Sequence, residues 1–336
     1  MKTFIAIADV HLKINKDAPV SWSVSRYKEF FKYVVGQCKS KNADLLILGD
    51  LVDSNKLNLV ELELLLEFFN LIKTEKVHTK IISGNHEIVD NSKSIYDYLK
   101  LETYGDRPGF SYITYNLLDY HIYDEQFATL ACSYHKLKDL DLESYNTENM
   151  LPTIFLGHIR GNVGKFVKEE FPLSQLSDKF NAVFLGDIHD ELEVDGCVYC
   201  NTPINSQYER QPNCSYLEIN VDGKKVNWKR IKTDFPSLIQ VDTTAKEFSK
   251  LKFNEKHFYR VNVKGTREEL KGIPKYLPNC LIEHEIEGVE LAQLEDAPKV
   301  EEKVYSDLEE EVFDFASSVV PDEQLLVELT NEWRMV

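Results

Sequence analysis

No stretch of this 336-residue chain approaches the roughly 18–20 uninterrupted apolar residues of a membrane-spanning helix. Its longest apolar region, Leu59 to Ile72, is broken by Glu61, Glu63 and Glu67. The N-terminus offers one lysine and then a short apolar run ending before Asp9, which is not the pattern of an export signal. Cysteine is sparse, six residues at irregular spacing, so no disulfide framework is legible and reduced thiols in a cytoplasmic setting are expected. Cys197 and Cys200 have the spacing of half a zinc site but no second pair, and on a strand residues three apart face opposite sides; structural thiols are expected there. A phosphate-cradling Gly-x-x-x-x-Gly-Lys-Ser/Thr loop is absent, so the chain is not itself a motor of that class. Internal repeats are also absent.

Positive charge is in deficit. The formal net charge is −17, but Glu283 to Val336 holds 17 acidic and 3 basic residues, a local −14, leaving only −3 for residues 1–282. Two divalent ions would bring that body to about neutral, so acidity in the tail does not exclude a polyanionic substrate such as DNA for the body.

What the chain does have is five short stretches that each end in residues suited to hard metal ions or phosphate. They are Ile-Ala-Asp9-Val-His11, Leu-Gly-Asp50-Leu-Val-Asp53, Ser-Gly-Asn85-His86-Glu87, Leu-Gly-His158 and Leu-Gly-Asp187-Ile-His189. Each follows an apolar run of strand type, such as Thr3–Ile7 or Leu45–Leu48. Open α/β sheets build their sites at the C-terminal ends of such strands.

Residues 1–235 alternate strand and helix patterns. Tyr27, Phe30, Phe31, Val34 and Val35 predict a helix over Ser23–Lys39, and a second helix is expected over Leu59–Lys73. Strands are expected at Asp44–Leu48, Thr79–Ile82, Thr153–Leu156 and Ala182–Leu185, with a helix over Ile95–Tyr104. Cys214–Val221 and Lys225–Ile231 read as a hairpin turning at Asp222-Gly223. A second unit, residues 236–287, reads as strand His257–Gly265, helix Thr266–Tyr276 and strand Asn279–Glu287. An acidic linker, residues 288–304, leads to a helical tail, 305–336, striped by Leu308, Val312, Phe315, Val319, Leu325, Leu329 and Trp333.

Phosphodiester hydrolysis at neutral pH needs a deprotonated water and compensation of the charge building on phosphorus, and two ions about 3.5–4 Å apart supply both. Holding two cations that close requires a shared carboxylate, for which Asp50 is the natural choice. Asp9, His11 and His189 are then expected on one ion, and Asn85, His158 and Asp187 on the other. Mixed imidazole and carboxylate donors without thiolate favour manganese, with magnesium, iron or zinc as alternatives. His86 directly follows a ligand and is assigned to the transition state and to protonating the leaving oxygen.

The set Asp-x-His, Gly-Asp, Gly-Asn-His-Glu, Gly-His and Gly-x-x-His resembles the calcineurin-like metallophosphoesterases. Within them it resembles the SbcD-type double-strand-break repair nucleases, including bacteriophage recombination exonuclease subunits. Asn201-Thr-Pro203 is similar to a segment that follows that family's last metal motif, and Tyr259 to Leu270 to the start of its small DNA-capping domain. The resemblance implies a four-layer α/β sandwich with a small βαβ capping domain and C-terminal helices. It implies ligand roles for Asp9, His11, Asp50, Asn85, His158 and His189, and a catalytic role for His86. The activity implied is a manganese-dependent 3′→5′ double-strand exonuclease and single-strand endonuclease. The partners implied are DNA, a second copy of the chain, and an SbcC-like coiled-coil ATPase held by the tail in a heterotetramer. Asp187 departs from the pattern, since the family usually has histidine there; a carboxylate makes that site more negative and harder.

Asp53 is expected to support a ligand rather than bind metal. Lys13, Lys16, Trp22 and Arg26 are candidate contacts to a DNA backbone, and His135 a candidate lining of the cleft. One rival function is a small-substrate phosphodiesterase or protein phosphatase; Asp53-Ser-Asn stands where the serine/threonine phosphatases usually carry Asp-Arg-Gly. Another is a non-catalytic scaffold that recruits the ATPase.

Overall fold

The two longest helices begin and end where local chemistry tells them to. Asn58 caps Leu59–Glu75, accepting from the Val60 and Glu61 amides while Glu61 reaches back to the Asn58 amide, and Lys76 in the left-handed region ends it. Val20–Lys41 ends likewise at Asn42, whose φ is 49°, and the chain turns directly into strand Asp44–Leu48. Tyr27, Phe30, Phe31, Val34 and Val35 form the buried face of the first helix, and Phe31 stacks on Phe68 of the second at 4.1 Å.

The computed structural model describes residues 1–101, 112–144, 151–161 and 170–286. Among these, two six-stranded sheets stand face to face. The first runs, edge to edge, Lys225–Lys232, Ser215–Asp222, Lys2–Ile7, Asp44–Leu48, Thr79–Ile82 and Ile113–Tyr115. The second runs Glu193–Val194, Cys197–Tyr199, Ala182–Gly186, Thr153–His158, Phe127–Cys132 and Leu118–Tyr123.

The strands are apolar on both faces because both faces are covered. Ile5, Ile7, Leu45 and Ile47 point into a core shared with the two long helices. Their neighbours Phe4, Ala6, Leu46 and Leu48 point the other way, into a core shared with Phe127, Ile154, Leu156 and Phe184 of the second sheet. A third core lies between that sheet and helix Leu173–Lys179, through Leu173, Leu176, Phe155 and Val183. Helix, sheet, sheet, helix is the four-layer α/β sandwich. Cys197 and Cys200 lie in different cores on opposite faces, so they cannot share an ion.

Residues 238–286 form a separate four-stranded sheet in the order Leu238–Thr244, Phe258–Gly265, Cys280–Ile286, Tyr276–Leu277. The first of these strands is an addition to the sequence reading: its outward positions are polar, and its pairing partner begins twenty residues later. The helix expected over Thr266–Tyr276 is a single turn, Arg267–Leu270, because Gly272 and Pro274 stop it and Tyr276–Leu277 joins the sheet. Similarly, the helix expected from Ile95 spans Ile95–Tyr98, ended by Lys100 at φ 53°; residues 102–104 lie outside the described residues. The small sheet packs against the loop after His11: Ala18, Leu238 and Phe258 share a core that Trp22 borders, and Arg260 pairs with Asp17. The linker and tail, with residue 287, lie outside the described residues. No helix among the described residues is long and apolar enough to cross a membrane.

Candidate metal centre

Three parallel neighbours in the first sheet and two in the second deliver the motifs to one edge of the sandwich. At that edge the backbone is held in the left-handed region at Asp9 (φ 53°), His11 (φ 45°), Asp50 (φ 49°) and Asp187 (φ 96°). Such conformations cost on the order of 1–3 kcal/mol each in non-glycine residues and persist only where the surroundings over-determine them. Here the tips bind one another. The Asp9 amide donates to Gly49 O at 3.1 Å, the His11 amide to Asp50 O at 3.0 Å, and the Asp187 amide to Asp9 Oδ1 at 3.1 Å. Thr202 Oγ1 donates to Asp9 O at 2.7 Å. Gly49, at φ 87°, lies so close to His158 Nδ1, and Gly84 so close to Asp50 Oδ1, that a Cβ at either would overlap a site atom.

The donor atoms fall into two sets around one oxygen. Asp50 Oδ2 lies 3.6 Å from His11 Nε2 and 3.4 Å from His158 Nε2. On the first side His11 Nε2 and His189 Nε2 are 3.0 Å apart, and Asp9 Oδ1 is 3.8 Å from His189 Nε2. On the second, His158 Nε2 is 3.1 Å from Asn85 Oδ1 and 3.8 Å from Asp187 Oδ1. His158 Nδ1 donates to Leu48 O at 2.8 Å, which leaves Nε2 as the ring atom available to a metal ion. Asp9–His11–His189 and Asp9–Asp50–His158 are groups able to hold a metal ion. Opposed imidazole nitrogens and buried, facing carboxylates are a poor arrangement without a cation and a good one with it, so these residues fit divalent ions.

Electrostatics agree. Burial, with Asp50 and Asp187 nearby, pushes the Asp9 carboxyl well above its usual range. Burial alone would lower His158, but the Asp50, Asp9 and Asp187 carboxylates reverse that and raise it to about 10. Burial alone would raise Asp50, but the His158, His11 and His86 rings hold it low. His189 is lowered to about 4 by burial and by His11. At pH 7 the metal-free centre therefore carries a proton on His158, which must leave before that ring ligates an ion. Manganese binding is expected to release at least one proton per chain. Titration calorimetry in two buffers of unlike ionisation enthalpy measures it, and identical heats in both would contradict it.

Glu87, fully buried, accepts from the amides of Asp50 (3.0 Å), Val52 (3.0 Å) and Gly84 (2.7 Å), locking the second and third strand tips together. Burial raises its carboxyl to about 6. His86 is half-exposed, and its Nδ1 donates to Asp53 O at 2.6 Å, leaving Nε2 free at the centre, 3.8 Å from Asp50 Oδ2. His11, Asp53 and His86 make a third cluster. There Asp53 pairs with Lys13 at 2.6 Å, and contacts with His11 and Lys13 hold its carboxyl near about 2. Its ring-orienting carbonyl and its lysine partner make Asp53 a support for His11 and His86.

All seven expected ligands and His86 thus lie together, but Asp187 is differently engaged. Arg160 grips its carboxylate with two bonds of 2.7 Å, Nε to Oδ2 and Nη2 to Oδ1. The Arg160 amide is held in turn by Glu170. Among the DNA-contact candidates, Arg26 is corrected: it is 2% exposed, donates to Asn205 O and stacks near Trp22 and Tyr27, so no backbone phosphate reaches it. Trp22 packs on Phe258. Lys13 is committed to Asp53, and Lys16 is exposed. Sequence reasoning assigned no role to Glu87, Thr202 or Arg160. Glu87 and Thr202 do lie inside motif segments, whereas nothing local to Arg160 signals a partner 27 residues away.

The family model described as calcineurin-like phosphoesterase matches residues 2–199. No curated protein matches the chain. Among solved structures, the crystal structure of TT1561 of Thermus thermophilus is similar at TM-score 0.40 and 12% identity, covering 68% of this chain and 98% of that one.

Proposed function

Because the chain belongs to the calcineurin-like phosphoesterase family of metal-dependent hydrolases, we propose that it is a two-metal DNA phosphodiesterase. It acts as a 3′→5′ exonuclease on double strands and an endonuclease on single strands. The observation that carries the phosphodiester chemistry is Asp50 Oδ2, standing 3.6 Å from one donor set and 3.4 Å from the other. The motif resemblance, and a separate small sheet packed beside the loop that follows His11, support a polymeric substrate.

Asp9, His11, Asp50 and His189 would hold one ion, and Asp50, Asn85, His158 and Asp187 the other, with manganese the first choice from the donor set. When bound, the ions supply positive charge to the phosphate and make water nucleophilic at neutral pH. The protein's own groups do the rest. Glu87 keeps the strand tips in register. The Asp53 carbonyl fixes the His86 ring through Nδ1–H, so that in the imidazolium form its Nε2–H would face the leaving oxygen and give up its proton there. Second-ion affinity depends on how Arg160 and that ion share Asp187. Arg160→Ala is expected to tighten the second manganese by about tenfold, roughly one charge-assisted hydrogen bond no longer competing for the Asp187 carboxylate, measured by titration calorimetry; unchanged affinity would remove Asp187 from the ligand set. In this reading an SbcC-like coiled-coil ATPase and a second copy of the chain are the partners, drawn from the resemblance and from the apolar stripe of residues 308–333.

The deciding experiment offers the protein, with manganese, four substrates in parallel: end-labelled duplex DNA, end-labelled single-stranded DNA, bis-p-nitrophenyl phosphate and a phosphoserine peptide. Cleavage of DNA and the diester is expected. Turnover of the phosphopeptide without DNA cleavage would overturn the proposal.

A further inference from the structure

Beside the centre lies a cavity of about 450 Å³, within the size range of small-ligand sites. Its wall is built on the short helical segment Tyr134–Asp139, which follows a strand neighbouring Thr153–His158. Two bonds tie that segment to the strand tip leading to Asn85: the Tyr134 amide donates to Ser83 O at 2.9 Å, and His135 Nδ1 lies 3.2 Å from Ser83 Oγ. The Tyr134 ring meets His158 edge-on at 6.4 Å, and its hydroxyl donates to Glu170 at 2.8 Å, the same carboxylate that holds the Arg160 amide. Tyr134 is therefore oriented by the framework of the metal centre while its ring lines the cavity.

The lining has the chemistry of a flat heterocycle's complement. Tyr134 and Phe171 offer aromatic surface, Asn91 an amide that both donates and accepts, and Lys138 an exposed cation. His135 is only 8% exposed, yet its Nε2 has no hydrogen-bond partner among the described residues. An aliphatic side chain would use none of these polar groups, and a bare phosphate would use none of the aromatic ones.

We propose that this cavity is a nucleobase subsite, holding by stacking on Tyr134 the unpaired base of the nucleotide whose phosphate occupies the metal centre. This deepens the phosphodiesterase reading and rests on it: the enzyme acts on a base pulled out of its stack, which suits frayed ends and single strands.

The test is equilibrium binding to the manganese-loaded protein of 2′-deoxyadenosine 5′-monophosphate against 2-deoxyribose 5-phosphate, which has no base. The native protein should bind the nucleotide at least about tenfold more tightly. Tyr134→Ala should bind both alike, and Tyr134→Phe, which keeps the ring, should retain the preference. Equal binding of the two ligands by the native protein overturns the subsite, whatever the variants do. So does a preference that survives in a folded Tyr134→Ala protein. A nucleotide preference without DNA cleavage would leave the subsite standing and displace only the polymeric substrate.

Discussion

Asp50→Asn is expected to strip both sides of the centre and lower hydrolysis by at least about 10³-fold. The change removes hardly any volume, so the effect is electronic. One carboxylate oxygen faces His11 Nε2 at 3.6 Å and His158 Nε2 at 3.4 Å, while the other accepts the His86 amide at 3.1 Å. An amide has a single oxygen and no charge. If that oxygen keeps the His86 amide, the –NH2 group faces both imidazoles and repels the cations they would bind. If it turns, the loop carrying His86 loses its anchor. Manganese titration and turnover of bis-p-nitrophenyl phosphate read the two consequences separately. A folded variant that still takes up two ions per chain and turns over normally would refute the shared-ligand geometry.

His86→Asn is expected to behave differently: full metal occupancy, with kcat on DNA lower by about 10²–10⁴-fold. The ring is half-exposed, tethered through Nδ1 to the Asp53 carbonyl, and outside both donor sets around Asp50 Oδ2. A second signature separates proton delivery from simple damage. Nitrophenolate leaves without needing a proton, so the loss on bis-p-nitrophenyl phosphate should be much smaller than the loss on DNA. Equal losses on both substrates would assign His86 to charge stabilisation alone. Loss of an ion would instead make the His11–Asp53–His86 cluster a binding site.

Much of the sandwich was readable because its strands are buried on both faces. The run Leu45–Leu48 is continuous and apolar and Thr79–Ile82 is broken only by Lys80, and the expected boundaries Asp44–Leu48 and Thr79–Ile82 coincide with the strands found. Helix ends were less readable. The turn Arg267–Leu270 is stopped by residues whose effect depends on the sheet that Tyr276 joins, and Leu238–Thr244 is a strand only because Phe258–Gly265 lies alongside it. Arg26 illustrates the same limit at a single residue. Its position after a metal motif suggested a phosphate contact, but its place on the inner face of a helix, with Asn205 O as acceptor, put it in the interior.

By itself the amino-acid sequence determined the identity and order of the candidate metal-binding side chains, because each follows a short run of strand type. Which of those side chains share an oxygen, which ring nitrogen points inward and which carboxylate is already taken were decided by tertiary structure alone. Those choices depend on close distances between groups far apart in sequence, as with His11 and His189, 178 residues apart. The Arg160–Asp187 clamp belongs to the same class: two opposite charges with nothing local to pair them, brought to 2.7 Å because neighbouring parallel strands end side by side.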